Sequence, residues 1–271
     1  MPKVLNESQL GSYDRDGIVF PVPALSAREA SRYLAACNDL EERLGGKPRP
    51  VELVQMHLHF AWAYELVTHP AVLDAVEDVL GPDLIVWATS LFPKHARDPS
   101  YISWHQDGTY WGLDSTRVTT AWIALTDSVP ENGCMRVSAG THRQEILPHT
   151  ETFAQQNLLS RGQEIAVDVK EADATDVVLT ASQMSLHHVN LIHGSNPNRS
   201  DNKRVGFAVR YVTPEVSQQG ERPKVVLARG GDGHNHFELT GPPPDLGIDE
   251  AVAVMKESSR RLLDSVMKTK R

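Results

Sequence analysis

From Leu84 onward the chain breaks into short β-prone runs: LIVWATSLF (84–92), SWHQD (103–107), RVTTAWIALTD (117–127), CMRVS (134–138), EIAVDV (164–169), DVVLT (176–180), HHVNLIHG (187–194), RVGFAVRYV (204–212) and KVVLA (224–228). Turn-rich pieces such as PENG (130–133) and GSNPNRSDN (194–202) separate them. No long helix intervenes, which predicts an antiparallel sandwich or jelly roll and argues against a βαβ fold. Helical patterns flank this region. SAREASRYLAACNDLEERLGG (26–46) opens on a Ser26/Glu29 capping box and closes on paired glycines, predicting a helix over about 27–43. HPAVLDAVEDVLGP (69–82) places Pro70 in a first turn and Gly81-Pro82 at the stop. DEAVAVMKESSRRLLDSVMK (249–268) is amphipathic. The expected fold class is therefore mainly β with flanking helices (α+β). One domain is expected over residues 1–271: a helical part over about 1–82, a jelly-roll core over about 83–230 and a final helix over about 248–268.

Composition narrows the function classes. The 271 residues are 40% hydrophobic and 23% charged, ordinary for a soluble globular protein. The formal charge of -8, with no basic cluster beyond the tail KTKR, gives nucleic acid or an anionic membrane nothing to bind and points to a small-molecule partner. Cys37 and Cys134 form no framework, as suits a reducing cytoplasm. No signal-peptide core and no apolar run of about 18 residues occurs, so a cytoplasmic location is expected.

Within SWHQDGTYWG (103–112), His105 and Asp107 project from one face if the segment is a strand, aiming two metal-ligand side chains at one spot. His193 ends an apolar run 88 residues after His105, a separation a jelly roll closes by laying distant strands side by side. Together they would form a two-histidine, one-carboxylate face, the arrangement of Fe(II) oxygenases, although the same ligand types also suit zinc. Arg204, 11 residues past His193, shares a strand face with Gly206 and Ala208, whose small side chains leave a slot where a guanidinium would grip a carboxylate. Ser195 adds a hydroxyl. The alternative for Arg204 is a surface charge beside a hairpin.

Three linked motifs, WHQDGTYW (104–111), AWIALTDSVPENGCMRVSAGTH (121–142) and HHVNLIHGSNPNRSDNKRVGFAVRY (187–211), resemble the phytanoyl-CoA dioxygenase family of Fe(II)- and 2-oxoglutarate-dependent oxygenases, more weakly from about residue 8 to 212. The resemblance implies a double-stranded β-helix (cupin-like) core in which His105, Asp107 and His193 bind catalytic iron. It places the distal carboxylate of 2-oxoglutarate on Arg204 and Ser195, with Trp122 lining the pocket and Thr120 sharing its face. Related halogenating oxygenases carry glycine or alanine at the carboxylate position, so with Asp107 present the resemblance favours hydroxylation or another oxidation over halogenation. The implied reaction consumes O2 and 2-oxoglutarate, releases succinate and CO2, and oxidises a C–H bond of a small metabolite. Two rivals are an idle jelly-roll binding or sensing module and a zinc hydrolase on the same scaffold.

Other residues carry weaker signals. Tyr110 and Trp111 would form an aromatic wall for substrate, or core. Lys94 would reach an anionic substrate, or be solvated. Arg210 shares parity with Arg204 but lies roughly 20 Å along the strand, too far to grip the same cosubstrate. Its expected partner is an internal Asp or Glu, with a substrate anion as the alternative. His57 and His59 in MHLHF (56–60) share a face if extended but lack a third ligand. His187 and His188 point to opposite faces, and His188 reads as structural. RGGDGHNHFEL (229–239) lacks the helix and lysine of a phosphate loop.

Overall fold

A computed structural model describes residues 2–48, 50–109, 111–152, 154, 156–159, 163–166, 169, 171–220 and 222–268, the side chains of 163 and 261–268 excepted. Helix α1 (Glu7–Asp16), strand β1 (Ile18–Pro23) and helices α2 (Ala27–Arg43), α3 (Ala61–Val67) and α4 (Pro70–Leu80) come first. There follow β2 (Leu84–Lys94), β3 (Ile102–His105), β4 (Val118–Ala124), β5 (Met135–Ser138), β6 (His149–Glu151), β7 (Gln163–Ile165) and β8 (Thr175–Asp176). Then come β9 (Gln183–His188), β10 (Ile192–Ser195), β11 (Arg204–Val212), β12 (Lys224–Arg229) and β13 (Glu238–Leu239), and helix α5 (Ile248–Lys268) ends the series. No described helix is long and apolar enough to cross a membrane.

The helices begin where their caps direct. In α2 the Ser26 hydroxyl accepts from the Glu29 amide while the Glu29 carboxylate accepts from the Ser26 amide. Ala30, Tyr33, Cys37 and Leu40 follow at helical spacing and are buried. In α4 Pro70 occupies the first turn, where its missing N–H costs nothing. Helix α1 carries the same reciprocal cap, Asn6 with Gln9. The helical part expected over about 1–82 also holds one strand, β1. It joins the main sheet at its edge, where Pro21 and Pro23 leave no ladder hydrogen bond unmade in the interior.

Seven strands form one sheet in the order β1-β9-β4-β11-β2-β12-β13, and four form a second in the order β3-β10-β5-β8. The two face each other as a jelly roll. Strands β4 and β11 are buried at every position, which is why they read as continuous apolar runs. Alternation divides them. Val205, Phe207, Val209 and Tyr211 of β11, with Ala121 and Ile123 of β4, pack against Leu66, Val72, Val76 and other helical residues. Trp122 and Ala208 instead face Met135, Val137 and Leu191 on the side of the smaller sheet.

The run 187–194, read as one strand, is two. Strand β9 ends at His188 in the large sheet, and β10 starts at Ile192 in the small one, joined by a turn closed by the Leu191 amide on the His188 carbonyl. Strict alternation across 187–194 therefore fails. SWHQD also stops short: β3 ends at His105, and Asp107 starts a 3-10 turn. Of DVVLT only its first residue is in β8, Leu179 forming an isolated bridge to Ser128.

Two glycines are dictated by close approach. Gly133 in the PENG turn has φ 74°, and a Cβ there would lie 2.3 Å from the Asn196 carbonyl oxygen. A Cβ on Gly206 would lie 1.9 Å from Cζ2 of Trp122. Gly206→Ala is expected to destabilise the protein by about 1–3 kcal/mol through overpacking. Gly11→Ala, in helix α1 with nothing within 4 Å of its would-be Cβ, is expected to stabilise by about 0.5–1 kcal/mol through helix propensity. Urea unfolding of the two variants beside wild type checks both signs.

Candidate metal and cosubstrate site

The two histidines meet because β10 pairs antiparallel with β3 in a register that sets His193 opposite His105. Their ring centroids are 4.1 Å apart. Each Nδ1 lies 2.9 Å from a backbone carbonyl, Ser103 for His105 and Leu191 for His193. A carbonyl only accepts, so both Nδ1 atoms carry the proton and both Nε2 atoms present lone pairs. The 3-10 turn swings the Asp107 carboxylate to 3.3 Å from His105 Nε2, doing what an extended continuation of β3 was expected to do. One ligand atom from each of His105, Asp107 and His193 lies within 4.8 Å of the others, and all three residues are buried. Burial opposes ionisation of Asp107, but the adjacent His105 and His193 outweigh that and hold its carboxyl far below the usual carboxylate range. Burial, with His105 adding to it, pushes His193 down to about 4, so it is neutral at physiological pH. Three ionised or neutral donors converging on one point, with both imidazoles locked by outer carbonyls, fit a divalent transition-metal ion.

These ligands open onto a cavity between the two sheets. The large sheet contributes Thr120, Trp122, His187, Arg204 and Arg210; the small one contributes Ile102, Met135 and Ser195. Arg204 is 1% exposed and its Nη1 donates to the Gly133 carbonyl at 2.5 Å, so the PENG turn and the arginine fix each other. Burial brings its guanidinium down to about 10, still charged. Its face lies 5.3 Å from the Trp122 ring, the cation–π geometry that tolerates a buried charge. The surface-charge alternative for Arg204 is thereby excluded. The slot beside Gly206 is corrected as well: it is filled by the Trp122 indole, which leaves Ala208 as the small residue on the cavity wall.

Lys94 is neither solvated nor on the cavity wall. It is 0% exposed, cross-strand from Arg204, and donates to Ser195 Oγ at 2.6 Å and the Asn196 carbonyl at 2.5 Å. Burial first, then the neighbouring guanidinium, lower its amine to about 6. A neutral amine has two N–H groups, and both are used.

Arg210 enters the same cavity as Arg204, at its other end. Among the described residues no carboxylate lies within ion-pair distance of Arg210; the internal acid whose field it feels is Asp107, which favours the charged guanidinium against the cost of its burial. Its Nη1 donates to Ser90 Oγ at 2.6 Å, its Nε has no partner, and its face lies 5.9 Å from Phe92 and 5.5 Å from Trp111. Trp111 in turn packs on Trp87 at 5.0 Å between ring centroids. Tyr110 lies outside the described residues. His57 is buried in a 3-10 turn, paired with Thr89 and away from the cavity, where burial lowers it to about 3. His188 accepts from the Asn190 amide, a structural role. His187 is the residue that sequence reasoning missed: it lines the cavity 5.0 Å from the His193 ring, and neither ring nitrogen has a partner.

The phytanoyl-CoA dioxygenase (PhyH) family description matches residues 13–206. The solved structure of a non-heme monooxygenase, ThoJ in its apo form, is 37% identical with a TM-score of 0.81, covering 96% of this chain and 99% of that one. Its nickel complex is 33% identical with a TM-score of 0.77, covering 97% and 100%. The ectoine dioxygenase of Nocardia farcinica is 26% identical over 220 residues, 72% of this chain and 73% of that protein. A probable alpha-ketoglutarate-dependent hypophosphite dioxygenase of Stutzerimonas stutzeri is 27% identical over 166 residues, 59% of this chain and 56% of that protein. Motif order, jelly-roll topology and a match across most of the chain agree, and the protein belongs to the phytanoyl-CoA dioxygenase family.

Proposed function

We propose that the protein is an Fe(II)- and 2-oxoglutarate-dependent dioxygenase that hydroxylates a C–H bond of a small metabolite. The observation that carries this reading is one cavity holding a buried His105–Asp107–His193 donor set and, apart from it, a buried arginine with no acid partner. Bound at His105, Asp107 and His193, iron would supply the oxidative decarboxylation of 2-oxoglutarate by O2 to succinate and CO2, with one oxygen atom left for the substrate. The chain's own residues do the positioning. Arg204 holds the distal carboxylate through its guanidinium, Ser195 adds its hydroxyl, and Lys94 braces Ser195 from behind. Trp122 walls the carboxylate end, Thr120 faces the same space, and Ile102, Met135 and Ala208 keep water out of it. Asp107 fills the carboxylate position of the donor set, which favours hydroxylation over halogenation. A zinc hydrolase or an idle binding module would leave two buried guanidiniums in the cavity without an anion to justify their desolvation.

Anaerobic titration of the protein with Fe(II) and 2-oxoglutarate is expected to give a saturable visible charge-transfer band. Asp107→Ala should abolish it, and Arg204→Gln should raise the 2-oxoglutarate concentration at half-saturation roughly 10- to 100-fold. A folded, metal-loaded protein with no band would overturn the reading.

Lys94 adds a pH dependence. With its free-state amine at about 6 it is mostly neutral above that pH, and a dianion beside it favours the protonated form. Binding should therefore take up a proton, and affinity should strengthen as pH falls from about 8 toward 6. Lys94→Met should flatten that slope, measured by calorimetry in buffers of different ionisation enthalpy.

A further inference from the structure

Two neighbouring rungs of the large sheet lie beside the donor set, and all of their members but Ser185 line the cavity. In one, His187 of β9, Thr120 of β4 and Arg210 of β11 are successive cross-strand partners. In the next, Ser185, Trp122 and Ala208 are. Five polar atoms on these rungs are buried with no hydrogen-bond partner: Nδ1 and Nε2 of His187, Oγ1 of Thr120, Oγ of Ser185 and Nε of Arg210. Buried polar groups are ordinarily satisfied, so such a cluster marks a place where a ligand's polar atoms belong.

Charge identifies the ligand's chemistry. Iron(II) and two guanidiniums bring four positive charges, and Asp107 and dianionic 2-oxoglutarate return three negative ones; the proton that Lys94 takes up on binding adds to this excess and does not offset it. At least one positive charge stays uncompensated. Arg204 lies at the far end of β11, beside Ser195 and Lys94, and uses its anion there. Arg210, whose guanidinium is held by Ser90 and lies over Phe92 and Trp111, has no anion in direct contact; Asp107, the acid whose field reaches it, belongs to the donor set.

We infer that Arg210, flanked by Thr120 and His187, anchors an oxyanion of the oxidised substrate, a carboxylate or a phosphonate, and so selects small anionic metabolites over neutral ones. The inference rests on the dioxygenase reading above and names its substrate class. Arg210 supplies the charge and the fork. Neutral His187 offers one N–H and one lone pair, and Thr120 a hydroxyl, to groups next to the anion. Because His187 adjoins His193, a group held on this rung carries its neighbouring carbons past the donor set.

The test uses the anaerobic protein loaded with Fe(II) and 2-oxoglutarate, titrated with hexanoate, hexylphosphonate and hexanamide, the perturbation of the visible band being the readout. At least one acid is expected to bind about tenfold or more tightly than the amide, and which acid does so separates carboxylate from phosphonate. Arg210→Gln should erase that preference while 2-oxoglutarate affinity changes less than about twofold, and Arg210→Lys, which keeps the charge without the fork, should retain part of it. Equal binding of acids and amide, binding of none, or loss of 2-oxoglutarate affinity in Arg210→Gln as large as in Arg204→Gln would each overturn the inference. Absence of the band altogether would instead bring down the dioxygenase reading on which it rests.

Discussion

Strand β11 has no solvent face: all nine residues from Arg204 to Val212 are buried. That constraint organises the rest of the structure. Odd positions must be apolar because helices cover them, and even positions must be small or must find partners across the cavity. Two of the even positions are arginine, and neither forms a direct ion pair with a carboxylate among the described residues, although Arg210 feels the field of Asp107. Buried guanidiniums persist only where backbone acceptors, aromatic faces or a bound anion offset their lost hydration. Arg204 has the Gly133 carbonyl and Trp122; Arg210 has Ser90, Phe92 and Trp111. What each lacks is an anion in direct contact, and the cavity between them is where anions would enter.

The donor set depends on a different device. His105 and His193 are held by sheet register, whereas Asp107 is held by the turn that ends β3. Register alone would have placed a third side chain about 7 Å along the strand from the first; the turn folds it back onto the histidines. Each imidazole is fixed by a carbonyl of its own strand or of the residue just before it, so the two ligands are preoriented by backbone rather than by other side chains. Gln106, between the ligands, ties this turn down by donating to the Asn190 carbonyl and accepting from the Leu147 amide.

Glycine placement connects these parts. The Trp122 ring occupies the space that a side chain at position 206 would take, and the left-handed conformation of Gly133 delivers the carbonyl that receives Arg204. Remove either and the guanidinium loses a face or an acceptor. The residue behind it, Lys94, is sequestered so completely that its amine is held neutral by burial and by Arg204 itself.

The sequence by itself determined the class of fold and the chemistry of the donor set. Alternation and turn residues announce short antiparallel strands because pleat and turn geometry are local, and His105, Asp107, His193 and Arg204 stand out because few other roles bring those side chains into apolar runs. The Ser26/Glu29 cap marked α2 for the same local reason, and the Asn6/Gln9 cap of α1 was equally legible. Only the tertiary structure decided what faces what. The break at 189–191 moves the chain between sheets and turns His187 toward His193, β1 joins the main sheet from within a helical segment, Lys94 is sealed behind Ser195, and Arg210 is left without a direct ion pair. These outcomes depend on which distant strands pair and in what register, and a pairing between residues a hundred positions apart is set by the packing of the whole core, not by the residues that end up touching.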